Sequence, residues 1–193
     1  AIQKITGTKV KVHGSGRTDR GVHARMQVAH FDLEKNLNVA GFKKGMNAIL
    51  PHDIRIMKVN TVPSSFHARR SAVSKEYRYF IWNADILPPF LHRYRTHVKK
   101  KLEVAAMKKA AAYLTGKHDF ASFTANTNQE INGTIRNLMK LIVVKHGSEI
   151  VIIAKSEGFL YKMVRSLAGF LIRVGEGALS PDEARSILYS TLR

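Results

Sequence analysis

The chain has 193 residues, of which 45% are hydrophobic, so it can bury the core of one domain or of two small domains. Its 32 Lys and Arg residues outnumber its 14 Asp and Glu residues, which gives a formal net charge of +18. This charge is typical of a protein that binds a polyanion, and its spread along the whole chain favours nucleic acid over a membrane surface. Without cysteine, the chain can form no disulfide, thiolate nucleophile or cysteine-based zinc site.

Patterns that indicate a membrane protein or a metalloenzyme do not occur in this sequence. No apolar run approaches the roughly 20 residues that cross a bilayer, and no charged segment followed by an apolar one opens the chain. The nine histidines form no HExxH pair. We therefore expect a cytoplasmic protein that holds no metal.

In chain order, AIQKITG favours the end of a helix that stops at Gly7. The loop GSGRTDRGVHA (14–24) then joins two predicted strands, and a helix is predicted around 39–49. The predicted strands of this part of the chain are TKVKVH (8–13), MQVAHFDL (26–33), DIRIMKV (53–59) and KEYRYFIW (75–82). The period of two in the last strand places Tyr77, Tyr79 and Ile81 on one face.

A domain boundary is predicted near residue 97, because Pro88-Pro89 interrupts the segment before it. The predicted domains are an N-terminal half, 1–97, and a C-terminal half, 98–193. The predicted elements of the second half are a helix over 101–114, a loop TANTNQEINGT (124–134), a hairpin of TIRNLMKLIVV (134–144) and EIVIIAK (149–155), a helix from Phe159, and a last helix from Ser180 to Arg193. This mixture favours an α+β fold with helices on one face of a mostly antiparallel sheet.

Asp19 is the only carboxylate in the loop 14–24, where it stands among Arg17, Arg20 and three glycines. The glycine spacing fits neither the dinucleotide fingerprint nor the P-loop pattern. Nearby positive charge favours the anionic form of a carboxylate, which can then act as a nucleophile or a general base. The alternative is a turn aspartate that hydrogen-bonds its own backbone.

Three further positions are candidates for chemistry, each with a structural alternative. Tyr77, beside Arg78, is suited to stacking on a nucleic-acid base, or else is a core tyrosine. Arg165 is the one charge in an apolar stretch of helix, and either pairs with a carboxylate or faces solvent. His118-Asp119 is more typical of a helix-start cap than of a nuclease site.

Several segments together resemble the TruA family of tRNA pseudouridine synthases, in its bacterial form. The resemblance starts with GSGRTDRGVHA and covers nearly the whole chain. The further matching segments are MNAILPHDI, FHARRSAVSKEYRYFI, GKHDFASF, GTIRNL and GFLYKMVRSLAGFLIRVG. The fold that it implies is two ferredoxin-like α/β halves joined through a mostly antiparallel sheet, with an active-site cleft between them. Family members normally have a strand and a helix before the position of residue 1, and a closing strand after the last helix. The sequence has no segments that correspond to these terminal elements, so we expect a fold without them.

The resemblance also implies the reaction and the roles of four residues. Asp19 stands at the position of the catalytic aspartate and Tyr77 at that of the tyrosine that contacts the target uracil. Arg165 matches the basic residue that pairs with the aspartate, and Arg17 the arginine that helps to displace the base and hold the RNA. The reaction would convert uridine to pseudouridine in the anticodon stem-loop, at tRNA positions 38 to 40, without a cofactor or a metal.

Family members act as homodimers, so the implied partners are tRNA and a second copy of the chain. Two other functions stay open at this point. A non-catalytic RNA-binding module would carry the same basic surface, although it would not require the RTD and YRY motifs together with Arg165. A hydrolytic nuclease is disfavoured, because no cluster of metal-binding carboxylates occurs in the sequence.

Overall fold

The structure is a computed structural model, which describes residues 1–125 and 133–189. By its internal contacts the chain forms two compact units, Ala1–Ala72 and Val73–Arg193. No helix within the described ranges is long and apolar enough to cross a membrane. The predicted halves 1–97 and 98–193 differ from these units because the strand KEYRYFIW pairs along its whole length within the second unit. The functional division near residue 97 stays a prediction.

The first unit contains two helices and one short two-stranded sheet. Helix α1 (Ile2–Thr6) ends at Gly7, as predicted, and helix α2 (Val39–Ile49) also lies where it was expected. Asn38 caps α2, since its side-chain oxygen accepts a hydrogen bond from the Gly41 amide at 2.9 Å. Strands β1 (His13–Gly14) and β2 (Ala29–His30) pair antiparallel.

Strand prediction was less successful in this unit than helix prediction. TKVKVH contributes one paired residue, His13, and MQVAHFDL contributes two, Ala29 and His30. The predicted strand DIRIMKV (53–59) is wrong, since the structure has no strand there. Asn47 of α2 explains this: its amide donates to the Ile56 carbonyl at 3.0 Å, and its oxygen accepts from the Ile56 amide at 2.8 Å. A side chain therefore satisfies the backbone groups that a neighbouring strand would otherwise satisfy.

The second unit is built on a five-stranded sheet. Its strands are β3 (Lys75–Trp82), β4 (Thr96–His97), β5 (Gly116–Asp119), β6 (Ile135–His146) and β7 (Glu149–Ser156). They lie in the order β4-β3-β7-β6-β5, and only the β3–β4 pairing is parallel. The predicted hairpin is confirmed, with β6 and β7 joined at His146-Gly147-Ser148.

Three helices complete this unit: α3 (Val104–Leu114), α4 (Met163–Gly175) and α5 (Glu183–Tyr189). Helices α3 and α4 pack on the sheet, and α5 packs on α3. The core between them is apolar and includes Ile81 of β3, Ile152 of β7, Met107 of α3 and Leu167 of α4, each at most 1% exposed. The predicted α+β class with a mostly antiparallel sheet is confirmed, whereas the ferredoxin-like halves and the cleft between them stay predictions.

The strand register confirms which residues of β3 share a face. Tyr77, Tyr79 and Ile81 lie opposite Ala154, Ile152 and Ile150 of β7, and this is the face that the helices cover. Helix α3 begins three residues later than predicted and α4 begins at Met163 rather than Phe159. Most of the predicted loop 124–134, and the end of the last helix beyond residue 189, lie outside the described residues.

Candidate active site

The loop 14–24 is held at its base by hydrogen bonds between its two flanking segments. The Ser15 amide donates to the Val28 carbonyl at 2.8 Å, directly after the β1–β2 pairing. Gln27 adds two side-chain bonds: its amide nitrogen donates to the Gly16 carbonyl at 3.0 Å, and its oxygen accepts from the Ser15 hydroxyl at 2.5 Å. The ends of the loop are therefore closed, and its tip carries the candidate chemistry.

Asp19 lies at the tip of this loop and is half-buried, while Arg17 and Arg20 are exposed. The chain turns directly after it: the Val22 amide donates to the Asp19 backbone carbonyl at 3.1 Å. Gly21 within the turn has φ of 84°, a left-handed conformation that glycine adopts without strain. Because the backbone carbonyl closes this turn, the carboxylate of Asp19 is not needed for that bond.

Tyr77 lies on β3 and is half-buried. Its ring meets the ring of Phe159 edge-on, with centroids 5.1 Å apart and planes at 90°. Because Phe159 precedes α4, this contact links the strand to the segment that leads into that helix. The contact fixes the orientation of the Tyr77 ring, which suits both a structural and a base-contacting role.

Arg165 lies in the first turn of α4 and is exposed. The buried residues of α4 include Met163, Leu167 and Leu171, whose spacing of four places them on one stripe. Arg165 lies off this stripe, so its guanidinium escapes the cost of burial in the core. Arg165 is thus exposed at the start of α4, and this exposure is compatible with contact to an RNA.

The four predicted site residues belong to two units. Arg17 and Asp19 stand two positions apart in one loop of the first unit. Tyr77 and Arg165 lie in the second unit, on β3 and α4, two elements that pack against each other.

The pair His118-Asp119 has the structural role that its sequence indicates. Asp119 accepts a hydrogen bond from the Ala121 amide at 2.9 Å and so caps the short 3-10 turn Ala121–Phe123. The ring of His118 bonds to the Thr115 carbonyl at 3.1 Å. Across residues 1–125 and 133–189, no group of three or more His, Asp or Glu side chains could hold a metal ion.

A cluster of three histidine rings at the base of the loop was not predicted from the sequence. His13 of β1 stacks on His30 of β2 at 5.1 Å between centroids, and His67 lies 5.7 Å and 4.7 Å from them. Partial burial lowers the pKa of His67 below its usual value, and Arg70 and the two neighbouring histidines add to this effect. The available signal was that His13 directly precedes the loop 14–24 and His30 follows it by six residues.

Known proteins resemble this chain over almost all of its length. A sequence profile described as tRNA pseudouridine synthase matches residues 1–69 and 110–193. The chain belongs to the tRNA pseudouridine synthase family. Both matched ranges include candidate site residues of this family, since Arg17 and Asp19 lie in the first and Arg165 in the second.

The relatives include proteins named tRNA pseudouridine synthase A from three bacteria. The chain is 44% identical over 188 residues to tRNA pseudouridine synthase A of Brevibacillus brevis, an alignment that covers 97% of the chain and 77% of the relative. It is 42% identical over 196 residues to the protein of that name from Bradyrhizobium diazoefficiens, covering 100% of the chain and 79% of the relative. It is 37% identical over 193 residues to the protein of that name from Methylacidiphilum infernorum, covering 100% of the chain and 76% of the relative.

Proposed function

We propose that this protein converts uridine to pseudouridine in the anticodon stem-loop of tRNA, with Asp19 as the catalytic carboxylate. The observation that carries the proposal is family membership over most of the chain, together with an RTD loop that presents a half-buried Asp19 at its tip. The net charge of +18 supports an RNA substrate, because phosphate neutralisation supplies much of the affinity for nucleic acid.

The reaction is an isomerisation, which defines what the protein has to supply. The bond from C1′ of the ribose to N1 breaks, the detached uracil turns, and C1′ joins C5; the proton on C5 leaves and N1 gains one. No electron, energy source or metal enters this balance. Asp19 either adds to C1′ or removes a proton from the sugar, and both routes require an ionised carboxylate at the start.

The other three residues act on the RNA rather than on the bond that breaks. A uridine within a stem must leave the stack before its glycosidic bond can be reached, which costs a few kcal/mol. Arg17, exposed in the same loop as Asp19, holds the RNA and fills the place of the displaced base. Tyr77 packs its ring against the uracil, and Arg165 contributes positive charge to the binding of the substrate.

The proposal extends to a homodimer and to a cytoplasmic location, both of which the family resemblance implies. Sedimentation velocity over a range of protein concentrations measures the first directly. A mass of one chain, 21.7 kDa, at all concentrations would refute the dimer without affecting the assignment of the reaction.

The substitution Asp19→Asn tests the catalytic role most directly. It retains the size of the side chain and its ability to form turn hydrogen bonds, but it removes the negative charge. We expect pseudouridine formation in a single turnover to fall by about 10³-fold or more, while tRNA affinity stays unchanged or increases slightly. Pseudouridine is detected by chemical mapping of unmodified tRNA after incubation, and affinity by filter binding.

The control for this test is Asp53→Asn, which removes one negative charge from an exposed position outside the loop. Circular dichroism shows that each variant is folded. If folded Asp19→Asn protein turned over at the wild-type rate, Asp19 would be a turn residue only. If neither wild type nor variant formed pseudouridine although both bound tRNA, the non-catalytic RNA-binding module would be the better description.

A further inference from the structure

An open pocket of about 540 Å³ lies beside the three histidines in the first unit. Its lining includes His13, His30, His67 and Arg70, and the hydroxyl-bearing residues Ser64 and Ser65. The volume falls in the range of about 300–1,000 Å³ that is common for small-ligand sites. It can hold a chemical group together with part of the molecule to which that group is attached.

The hydrogen bonds of two histidines determine which ring atom carries the proton. The Nδ1 atom of His30 accepts from the Ala68 amide at 3.2 Å. The Nδ1 atom of His67 accepts from the amides of Arg69 and Arg70 at 3.2 and 3.3 Å. An atom that accepts a hydrogen bond has its lone pair free of a proton, so a neutral ring carries its proton on Nε2.

The two Nε2–H groups are therefore donors that remain available to a ligand. In the described part of the chain, the Nε2 atoms of His30 and His67 have no hydrogen-bond partner, although both rings line the pocket. The hydroxyl groups of Ser64 and Ser65 can donate as well. A pocket that offers several donors and few acceptors is complementary to an oxyanion.

Charge narrows the class of ligand further. Arg70 brings one guanidinium to the pocket, and Asp32, which is exposed, brings one carboxylate at its lining. A ligand with one negative charge and several acceptor oxygens can pair with the guanidinium and use the neutral donors for its other oxygens. A phosphodiester has this composition, and nucleic acids present it at every nucleotide.

We propose that this pocket binds a backbone phosphate of the RNA substrate, with His30, His67 and Arg70 as its donors. This inference rests on the proposed function, since that function supplies the RNA. His13 and His30 are direct partners in the β1–β2 pairing that closes the loop 14–24. A phosphate held here is thus anchored on the two strands that position the loop of Asp19.

Two substitutions at His67 separate ligand binding from a structural role. The oxygen of Asn occupies the place of Nδ1, so His67→Asn keeps the acceptor for the Arg69 and Arg70 amides and loses the Nε2–H donor. The amide nitrogen of Gln occupies the place of Nε2, so His67→Gln keeps the donor and loses the acceptor. A site for phosphate predicts that the Asn variant folds normally and binds phosphate poorly, whereas the Gln variant retains binding.

The first measurement uses inorganic phosphate as the probe and requires neither RNA nor turnover. Titration of wild-type protein is followed by NMR of the histidine ring nitrogens. We expect the His30 and His67 signals to shift with saturation, and Asp32→Asn to bind phosphate several-fold more tightly because it removes a repelling charge. Lys43→Gln, which removes one exposed charge from α2, is the control and should bind as wild type does.

The second measurement tests RNA as the source of the phosphate. Arg70→Gln should reduce the slope of log K for tRNA against log salt by about one, as expected for the loss of one phosphate contact. Replacing single phosphates near the target uridine by neutral methylphosphonates should weaken wild-type binding at one position and leave the Arg70→Gln variant unaffected there. The RNA part of the proposal would be overturned if the protein bound free phosphate but no methylphosphonate position weakened wild-type binding while leaving Arg70→Gln unaffected.

The site and the proposed function can fail independently. Ring signals that do not move with phosphate, or a folded His67→Asn variant that binds phosphate as wild type does, would overturn the site even if pseudouridine formed normally. Phosphate binding with the expected His67 pattern would support the site even if Asp19→Asn retained full activity and the catalytic assignment were wrong.

Discussion

The ring of Tyr77 lies edge-on to the ring of Phe159 at a centroid distance of 5.1 Å, which ties strand β3 to the segment before α4. Edge-to-face pairs of this kind stabilise by about 0.5–1.5 kcal/mol beyond the burial of their surface. At Tyr77, β3 pairs only with β7, because β4 reaches no further than Ile81. The ring contact therefore stabilises a part of the strand that has a partner strand on one side only.

This relationship predicts different results for two substitutions of Tyr77. Tyr77→Phe keeps the ring and its contact with Phe159, so pseudouridine formation should stay within a few-fold of wild type if the ring is the group that meets the uracil. Tyr77→Leu should lower the single-turnover rate by about 5- to 150-fold, which corresponds to the roughly 1–3 kcal/mol that stacking of a base on an aromatic ring contributes. Single-turnover assays at saturating protein measure both.

Tyr79→Phe is the matched control for Tyr77, since it lies on the same face of β3. The hydroxyl of Tyr79 accepts a hydrogen bond from Thr96 at 2.8 Å. Removing this hydroxyl should destabilise the fold by about 1 kcal/mol and leave the rate of pseudouridine formation unchanged. An equal loss of rate in Tyr77→Phe and Tyr77→Leu would assign the function to the hydroxyl instead of the ring.

The affinity for tRNA should depend steeply on salt. A chain of net charge +18 that contacts about six RNA phosphates releases the counterions condensed on them, so affinity should fall by roughly 10³-fold between low and physiological salt. Filter binding at several salt concentrations gives the slope of log K against log salt. A slope near zero would show that the positive charge of this chain has little part in binding RNA.

Acid should destabilise the first unit through His67. Partial burial, Arg70, His30 and His13 lower its pKa in the folded state, so that as pH falls the unfolded chain takes up the proton first. The stabilisation is complete above the usual histidine pKa of about 6.5 and is lost as pH falls from there through the lower folded-state value. The charged groups that face this ring across the pocket are Arg70 and Asp32, together with the other two histidines.

Urea unfolding between neutral and mildly acidic pH measures this dependence. The variant His67→Asn lacks the titrating ring and keeps the acceptor, so its stability should vary less with pH than that of wild type in this window. Parallel curves for the two proteins would show that other groups cause the acid sensitivity.

Gly175 is expected to tolerate no side chain, because the last turn of α4 packs closely on α3. A Cβ at this position would lie 2.8 Å from Sδ of Met107 and 3.1 Å from Cδ2 of Leu102, both buried. Gly175→Ala should therefore lower the unfolding free energy by about 1–3 kcal/mol. Gly169→Ala in the same helix meets no atom within 4 Å and should raise it by about 0.5–1 kcal/mol through helix propensity.

Urea titrations of both glycine variants, followed by circular dichroism, test this prediction. The pair separates packing from propensity, because each substitution adds the same methyl group to the same helix. A similar change in stability for both would show that the α3–α4 contact adjusts to an added methyl group.

Elements whose signals are local could be predicted from the sequence. The period of two in KEYRYFIW, the hairpin around His146-Gly147 and the end of α1 at Gly7 all appear as predicted. Each depends on residues close together in the chain, whose backbone preferences and alternation act before any distant contact forms. The RTD loop was recognisable for the same reason, since its motif is contiguous.

Pairings between distant segments became known only from the folded structure. The segment DIRIMKV has strand composition but forms no strand, because the Asn47 side chain occupies the backbone groups of Ile56. The histidine cluster joins His13, His30 and His67, which are separated by 17 and 37 positions, so no contiguous motif contains all three. Such contacts form when packing and hydrogen bonding outweigh the entropy cost of closing the loop between the two segments. That balance depends on all the segments with which each one can pair.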